Sequence, residues 1–398
     1  MTLKKGISHE ILGSRSFTHR AKSSVLSIIL FALLIFFMLL NSAAFKGKQD
    51  SDEVLLQKRI IKVATGYQNS VNSLLSSSGD GEEGKYRRKL PEFEMFMSDE
   101  LTEKFHGRVL EFFNQNCEVQ FFMTWISAAE SFGKREILAL ESVFKSHPDG
   151  CLVILSRTLD SVNGYRILKP FLDRKLKVQA ITPDLPFLVK NTPAESWFED
   201  MKDGNKDPGG IPLAQNLSNL MRLVVLYKYG GIYLDTDFIV LKSFKSLKNT
   251  IGAQSIDVVS KNWTRLNNAV LIFDMNHPLL FKFIEEFALT FDGNKWGHNG
   301  PYMVSRVVYR IEGRPGYNFT ILPPMAFYPV DWHKIGSLFK KPTAGAAAQL
   351  KWVEAKLRQL KQETYGVHLW NKQSSKLIVE EGSVMGRLIS ENCVLCEQ

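Results

Sequence analysis

The sequence predicts an α/β fold with a mostly parallel sheet, and three observations lead there. From about Glu118 onward short apolar strands alternate with helical patterns. VQFFMTW at Val119–Trp125 precedes a helical spacing through Ile137, Leu140 and Phe144, and CLVIL at Cys151–Leu155 and KVQAI at Lys177–Ile181 follow. Such alternation builds βαβ units with parallel strands. Next, the stretch from Pro212 to Tyr229 repeats Leu213, Leu217, Leu220, Val224 and Tyr227 at three- and four-residue spacing, the signature of a helix with one apolar face. Pro212 suits its first turn, and Gly230-Gly231 stops it and permits a tight turn into a strand. Finally, that strand ends abruptly in Asp235-Thr236-Asp237. Ligands of parallel sheets bind beyond the carboxyl ends of the strands, so the two acids sit where a site belongs.

Composition bounds the rest. The 398 residues suffice for one large domain with appendages, and 44% hydrophobic with 23% charged residues is globular. The net charge of +9 is uneven: Lys4, Lys5, Arg15, Arg20 and Lys22 stand against Glu10 alone before residue 24. No cluster of basic and aromatic residues marks a nucleic-acid groove, so no nucleic-acid partner is expected. Ser24 to Leu40 carries no charge, and Asn41 to Phe45 extends it, long enough to span a bilayer as a helix. A cleaved signal peptide has a shorter apolar region and a small-residue cleavage site. The expectation is an uncleaved anchor with the basic amino terminus cytosolic and the body lumenal, a type II arrangement. The chain then divides into a cytosolic tail (1–23), a transmembrane signal-anchor helix (24–45), a polar stem (46–115) and a lumenal domain (116–398). Sequons at Asn216, Asn262 and Asn318 fit that address, though Asn216 falls on a helix expected to be buried. The four cysteines are expected to form disulfides involving Cys117 and Cys151, with connectivity open.

Two carboxylates at i and i+2 of an extended chain leave the same side, with Thr236 pointing away. Paired hard oxygen donors hold a small divalent cation, whose open positions suit a diphosphate. A second such pair, Asp50 and Asp52, follows no strand and carries no meaning. Asn219 and Arg222, three apart on the helix, converge beside the acids. The guanidinium there either binds a phosphate or ribose, or makes a structural ion pair with one of the aspartates. Asn267 to Phe273 leads into a strand with polar residues at its mouth, and His298 to Pro301 is a polar turn before another helix. Val367 to Lys372 places a histidine and a lysine around a short strand, where a lone histidine is more often core than ligand.

These residues together resemble glycosyltransferase family 32, the group containing the α1,4-galactosyltransferase that makes globotriaosylceramide. The resemblance rests on NLSNLMRLVVLYKYGGIYLDTDFIVLK at 216–242, FFMTW at 121–125, HPDGCLVIL at 147–155, WGHNGP at 296–301, LPPMAFYPVDW at 322–332 and HLWNK at 368–372. Its Ser218-Asn219 helix and terminal cysteine pair look most like plant-type members, and the resemblance implies a GT-A nucleotide-sugar-binding fold, a UDP-sugar donor, Mn2+ or Mg2+, retention of configuration and a single-pass type II protein of the Golgi membrane. By position, Asp237 is expected to bind the metal directly, and Asp235 the donor ribose or the metal through water. Arg222 is expected to bind the donor, and Asn219 stands where many relatives carry aspartate. Thr124 and Trp125 resemble residues lining the nucleotide pocket. His368, Trp370 and Lys372 match a segment that closes over the diphosphate, with His368 a third metal candidate. Asn268, Asn299 and Asp274 are candidates for holding sugars, and a glycan or glycolipid acceptor is expected to meet variable loops such as 183–210. The function implied is transfer of galactose or N-acetylglucosamine in α1,4 linkage. The alternatives are an α-mannosyltransferase using GDP-mannose and a non-catalytic carbohydrate-binding relative.

Overall fold

The computed structural model describes residues 93–341 and 347–396. Seven strands form the main sheet: β1 (Gln120–Thr124), β2 (Cys151–Leu155), β3 (Lys177–Ile181), β4 (Gly231–Leu234), β6 (Thr250–Ile256), β7 (Trp263–Phe273) and β8 (Thr320–Leu322), in the order β3-β2-β1-β4-β7-β6-β8. The strands β3, β2, β1 and β4 run parallel. Strand β7 is antiparallel to both β4 and β6, and β8 is parallel to β6. A separate two-stranded ladder joins β5 (Phe238–Val240) to β9 (Gly366–His368).

Alternation sorts the strand residues onto two cores. Phe122, Val153, Tyr233 and Leu271 face the helix Leu213–Tyr229 and the helices Pro278–Thr290 and Pro301–Ile311. Phe121, Met123, Ile154, Leu234 and Val270 face the helix Lys134–Ser146 and the β5–β9 ladder. Covered on both faces, the central strands read as unbroken apolar runs rather than as alternation. The Leu213–Tyr229 helix is buried on more than the predicted single face, since Met221, Leu223, Val225 and Leu226 are buried as well. Gly230 (φ +68) and Gly231 (φ +103) end it in conformations that a side chain disfavours.

Some expectations change. Residues 93–113, assigned to the stem, are folded: Phe105, Val109 and Phe112 of the helix Phe105–Phe113 lie in the core with Phe96. The charged residues between them masked a helical apolar stripe. The stretch 183–210 is largely ordered too, with helices Leu185–Val189 and Glu195–Lys202 burying Leu188, Val189, Phe198 and Met201. Among the described residues no helix is long and apolar enough to cross a membrane, and the span expected at 24–45 lies outside them. The disulfides are Cys117–Cys151 and Cys393–Cys396. The first closes a sequence separation of 34, joining the approach to β1 to the first residue of β2. A loop of that size removes about 3–4 kcal/mol of entropy from the unfolded chain. Asn216 is buried, as expected, whereas Asn262 and Asn318 are exposed.

Candidate active site

Asp235 and Asp237 lie where β4 gives way to β5, and the local backbone differs from the extended chain expected. The Phe238 N–H donates to Asp235 O at 3.1 Å, closing a turn over Asp235–Phe238. The chain must bend there to leave the main sheet for the small ladder. The carboxylates nevertheless converge, because the ladder sets a third group against them. In β5–β9, Phe238 pairs with His368 and the Leu369 N–H donates to Asp237 O at 2.9 Å. His368 Nε2 stands 3.2 Å from Asp237 Oδ1 and 3.9 Å from Asp235 Oδ2. One donor atom from each of the three residues lies within 4.8 Å of the others.

Each group is held from behind. The Asn371 N–H donates to Asp237 Oδ2 at 2.8 Å across 134 residues of sequence. Burial pushes the Asp237 carboxyl up, but the charge and hydrogen bond of His368 and the Asn371 N–H outweigh it and hold it below the usual range. Burial acts downward on His368, and the two aspartates reverse it, raising the imidazole to about 9. Arg222 pairs with Asp235 Oδ1 at 3.0 Å, donates to Asn268 O at 2.7 Å and to Ser218 O and Oγ, and stacks on the Tyr233 ring at 4.6 Å. Of the two roles open to Arg222, the structure realises the ion pair, with every nitrogen of the guanidinium directed at protein. Tyr233 OH also donates to Asp235 Oδ1 at 3.2 Å, and burial raises that phenol to about 12.

The helix turns a polar stripe toward this centre. Asn216, Asn219 and Arg222 recur every third residue on a helix whose other buried residues are apolar, and each has a partner. Asn299 Nδ2 donates to Asn216 Oδ1, and Asn268 Nδ2 donates to Asn219 Oδ1, both at 2.9 Å. A Cβ on Gly300 meets Asn219 Oδ1 at 2.8 Å, so the loop following Asn299 lies tight on this amide pair. Asn219, Asn268 and Asn299 thus brace one another and the wall of the site. Thr124 stands two residues beyond Phe122 as Asp235 stands two beyond Tyr233, its β-partner, so it ends β1 level with the acids. Its hydroxyl is buried without a partner. Trp125 turns into the loop after β1, donating from Nε1 to Ala128 O and packing on Phe132.

Trp370 adopts a left-handed backbone (φ 54°, ψ 60°), a strained choice for a bulky residue, and swings the chain so that Asn371 faces Asp237. Its indole meets His368 edge-on at 4.4 Å and donates to Val330 O. Lys372 follows, exposed, with Nζ 3.6 Å from the centroid of the Trp296 ring. Asp274 is not part of this assembly. It follows the end of β7 that pairs with Gly231, at the opposite end of β4.

Several residues here escaped the sequence reading. Arg135 donates to Ser374 Oγ and O and so pins the segment carrying Asn371 and Lys372. Asn216 and Ser218 were visible as polar residues inside an apolar helix. Asn371 lay within HLWNK but acts through its backbone, which no side-chain pattern reports.

Two carboxylates and an imidazole suit Mn2+ or Mg2+, with manganese favoured by the nitrogen donor. Residues 272–398 match a family model described as the alpha 1,4-glycosyltransferase conserved region, and residues 133–256, which contain the acid pair, match a glycosyltransferase sugar-binding region containing a DXD motif. The chain is similar to lactosylceramide 4-alpha-galactosyltransferase of Pongo pygmaeus, 35% identical over 204 residues covering 50% of this chain and 84% of that protein. The Homo sapiens protein of the same name is 32% identical over 59% of this chain. Alpha-1,4-N-acetylglucosaminyltransferase of Homo sapiens is 23% identical, covering 60% of this chain and 67% of that protein. The match spans 64% of the length of the human galactosyltransferase.

Proposed function

The chain belongs to the alpha 1,4-glycosyltransferase family, and from that premise we propose that it is a retaining, metal-dependent hexosyltransferase moving galactose or N-acetylglucosamine from a UDP-sugar in α1,4 linkage onto a glycan or glycolipid. The observation that carries the reading is the convergence of Asp235, Asp237 and His368 at the carboxyl end of β4, within 4.8 Å of one another. The order β3-β2-β1-β4 with an antiparallel β7 supports a GT-A-type nucleotide-sugar fold. A type II Golgi anchor at 24–45 belongs to the same proposal.

Asp237, His368 and Asp235 would hold the divalent cation, which when bound neutralises the diphosphate and so assists its departure. This chain's own groups do the positioning. Arg222 and Tyr233 fix Asp235 Oδ1, and the Asn371 N–H fixes Asp237 Oδ2, so both carboxylates are oriented before the donor arrives. Lys372, on the segment pinned by Arg135, supplies a positive charge at the diphosphate. Trp370 and Tyr328 pack around His368 and keep water from it. In the transfer, the acceptor hydroxyl oxygen bonds to the anomeric carbon while the bond from that carbon to the β-phosphate oxygen breaks. The electron pair stays with the diphosphate, and the hydroxyl proton passes to its departing oxygen on the same face.

A donor screen tests this directly. With Mn2+ present and no acceptor, the protein is expected to hydrolyse UDP-galactose or UDP-N-acetylglucosamine slowly, and GDP-mannose not at all. Asp235→Ala with Asp237→Ala is expected to reduce the rate at least 100-fold while the circular dichroism spectrum stays unchanged. Undiminished hydrolysis by the folded double variant would place the donor site elsewhere.

A further inference from the structure

We propose that Trp296 and the polar depression beside it form the subsite that grips the acceptor sugar, a neutral pyranoside at the non-reducing end of a glycan. The inference rests on the transferase reading above and assigns the half of the site that reading leaves open.

Trp296 is 50% exposed, the most open of three exposed tryptophans with Trp352 at 44% and Trp332 at 37%, and it leaves a large apolar surface accessible. It sits in the loop between the helices Pro278–Thr290 and Pro301–Ile311, two residues before His298 and four before Gly300, which lies against Asn219 and Asn268. Its ring carries the Lys372 ammonium 3.6 Å from the centroid. Lys372 directly follows Asn371, whose N–H holds Asp237. The indole therefore flanks the catalytic centre at no more than the reach of one lysine side chain beyond the closing segment. That is where an acceptor must lie to meet the anomeric carbon of a donor held at Asp235 and Asp237.

The surroundings match the same ligand. Asp207, Thr290, Asp292, Asn294, Lys295 and His298 are among the residues lining an open depression of about 400 Å³, which reaches Lys295, the residue before Trp296, without including the indole itself. Its wall is firmly built: Asp292 is paired with Lys295 at 2.8 Å, the Gly210 N–H donates to Asn294 Oδ1 at 2.8 Å, and His298 Nε2 lies 2.8 Å from Thr290 O. Arg306 ties Thr290 Oγ1 to Glu286 behind it. A pyranose has one face of C–H bonds and a rim of hydroxyls. An exposed indole suits the face, and carboxylate, amide and imidazole groups suit the rim. A phosphate-bearing ligand fits poorly, because Asp207 and Asp292 both face the depression.

The test separates glycoside binding from donor chemistry. Methyl β-D-galactopyranoside and lactose are titrated against the full chain by saturation-transfer NMR, and the KM values for UDP-sugar and for lactose as acceptor are measured alongside. Trp296→Ala is expected to weaken both glycosides and raise the acceptor KM at least tenfold, and Trp296→Phe about threefold, while the donor KM moves less than twofold. Wild-type affinity for the glycosides in Trp296→Ala overturns the proposal. So does a donor KM rising in step with the acceptor KM, since Trp296 would then serve only to place Lys372. Glycoside binding lost in Trp296→Ala, in a protein that hydrolyses no nucleotide-sugar, sinks the transferase reading and leaves the subsite standing.

Discussion

Arg222 is 6% exposed and makes its hydrogen bonds to Ser218, Asn268 and Asp235 with all three nitrogens at once. Against burial, the Asp235 charge keeps its pKa above the usual arginine value, so the cation is permanent. Lysine offers one ammonium and no planar fork, and cannot serve those three partners together. Arg222→Lys keeps the charge but leaves buried acceptors at Ser218 and Asn268 without a donor, and is expected to lower stability by about 2–4 kcal/mol. It should also free Asp235 to rotate and cut donor hydrolysis at least tenfold, without altering which nucleotide is used. Urea unfolding and the hydrolysis assay read the two effects, and an unchanged hydrolysis rate would show that Asp235 needs no guanidinium to orient it. The sequence displayed Asn219 and Arg222 together but tagged Asn216 only as a sequon. Treating the helix as one-faced hid the reason for all three. In a helix buried on nearly every side, each polar residue must find a partner, and Asn216, Asn219 and Arg222 find theirs in Asn299, Asn268 and Asp235.

The β5–β9 ladder decides whether His368 meets the acids at all. Each strand has only 3 residues, and a slip by one would turn His368 to the opposite face. Gly366 fixes that register: a Cβ there lies 2.2 Å from the Phe238 ring and 2.6 Å from Ile239 O. Gly366→Ala should push β9 off β5 and draw His368 and Asn371 away from Asp237. The expected result is a Mn2+ affinity reduced at least tenfold by calorimetry, with a folded protein by circular dichroism. Wild-type Mn2+ affinity in the variant would mean that the ladder does not position the site. Much at this scale was legible. β1, β2, β3 and the long helix end within a residue or two of the expected places, because glycine, proline and a change of hydrophobic period mark such ends locally. The short strand around His368 was read, but its pairing with β5 was not, since two three-residue strands far apart in sequence carry no signal of each other. The turn at Asp235–Phe238 was missed for the same cause: its bend answers to a partner strand that lies beyond residue 365.

At the scale of the whole molecule, mild acidification should cost stability at His147. Its side chain is fully buried at the end of the Lys134–Ser146 helix, where Nε2 accepts the Phe244 N–H at 2.9 Å. A protonated ring cannot accept that bond, and burial depresses the imidazole from 6.5 to about 4. A depressed pKa means that the unfolded chain takes up the proton first, so the stability present above pH 6.5 drains away toward pH 4. Between pH 7.5 and 5 the loss amounts to about 2 kcal/mol. Asp160, held low by Arg108 and Thr182 against burial, and Glu286, held low by Arg310 and Arg306 against burial, extend the loss to more acid pH. Glu136, raised by burial, and His368, raised to about 9 by the two aspartates, gain on acidification and offset much of it. Every added proton also enlarges a net charge of +9, so self-repulsion works in the same direction as His147. His147→Gln can keep an acceptor near the Phe244 N–H without a group that titrates. From pH 7.5 to 5 the melting temperature of His147→Gln is expected to gain several degrees relative to that of the wild type, because the His368 contribution is common to both. Parallel curves for the two proteins would transfer the acid sensitivity from this buried imidazole to the carboxylates and the surface charge.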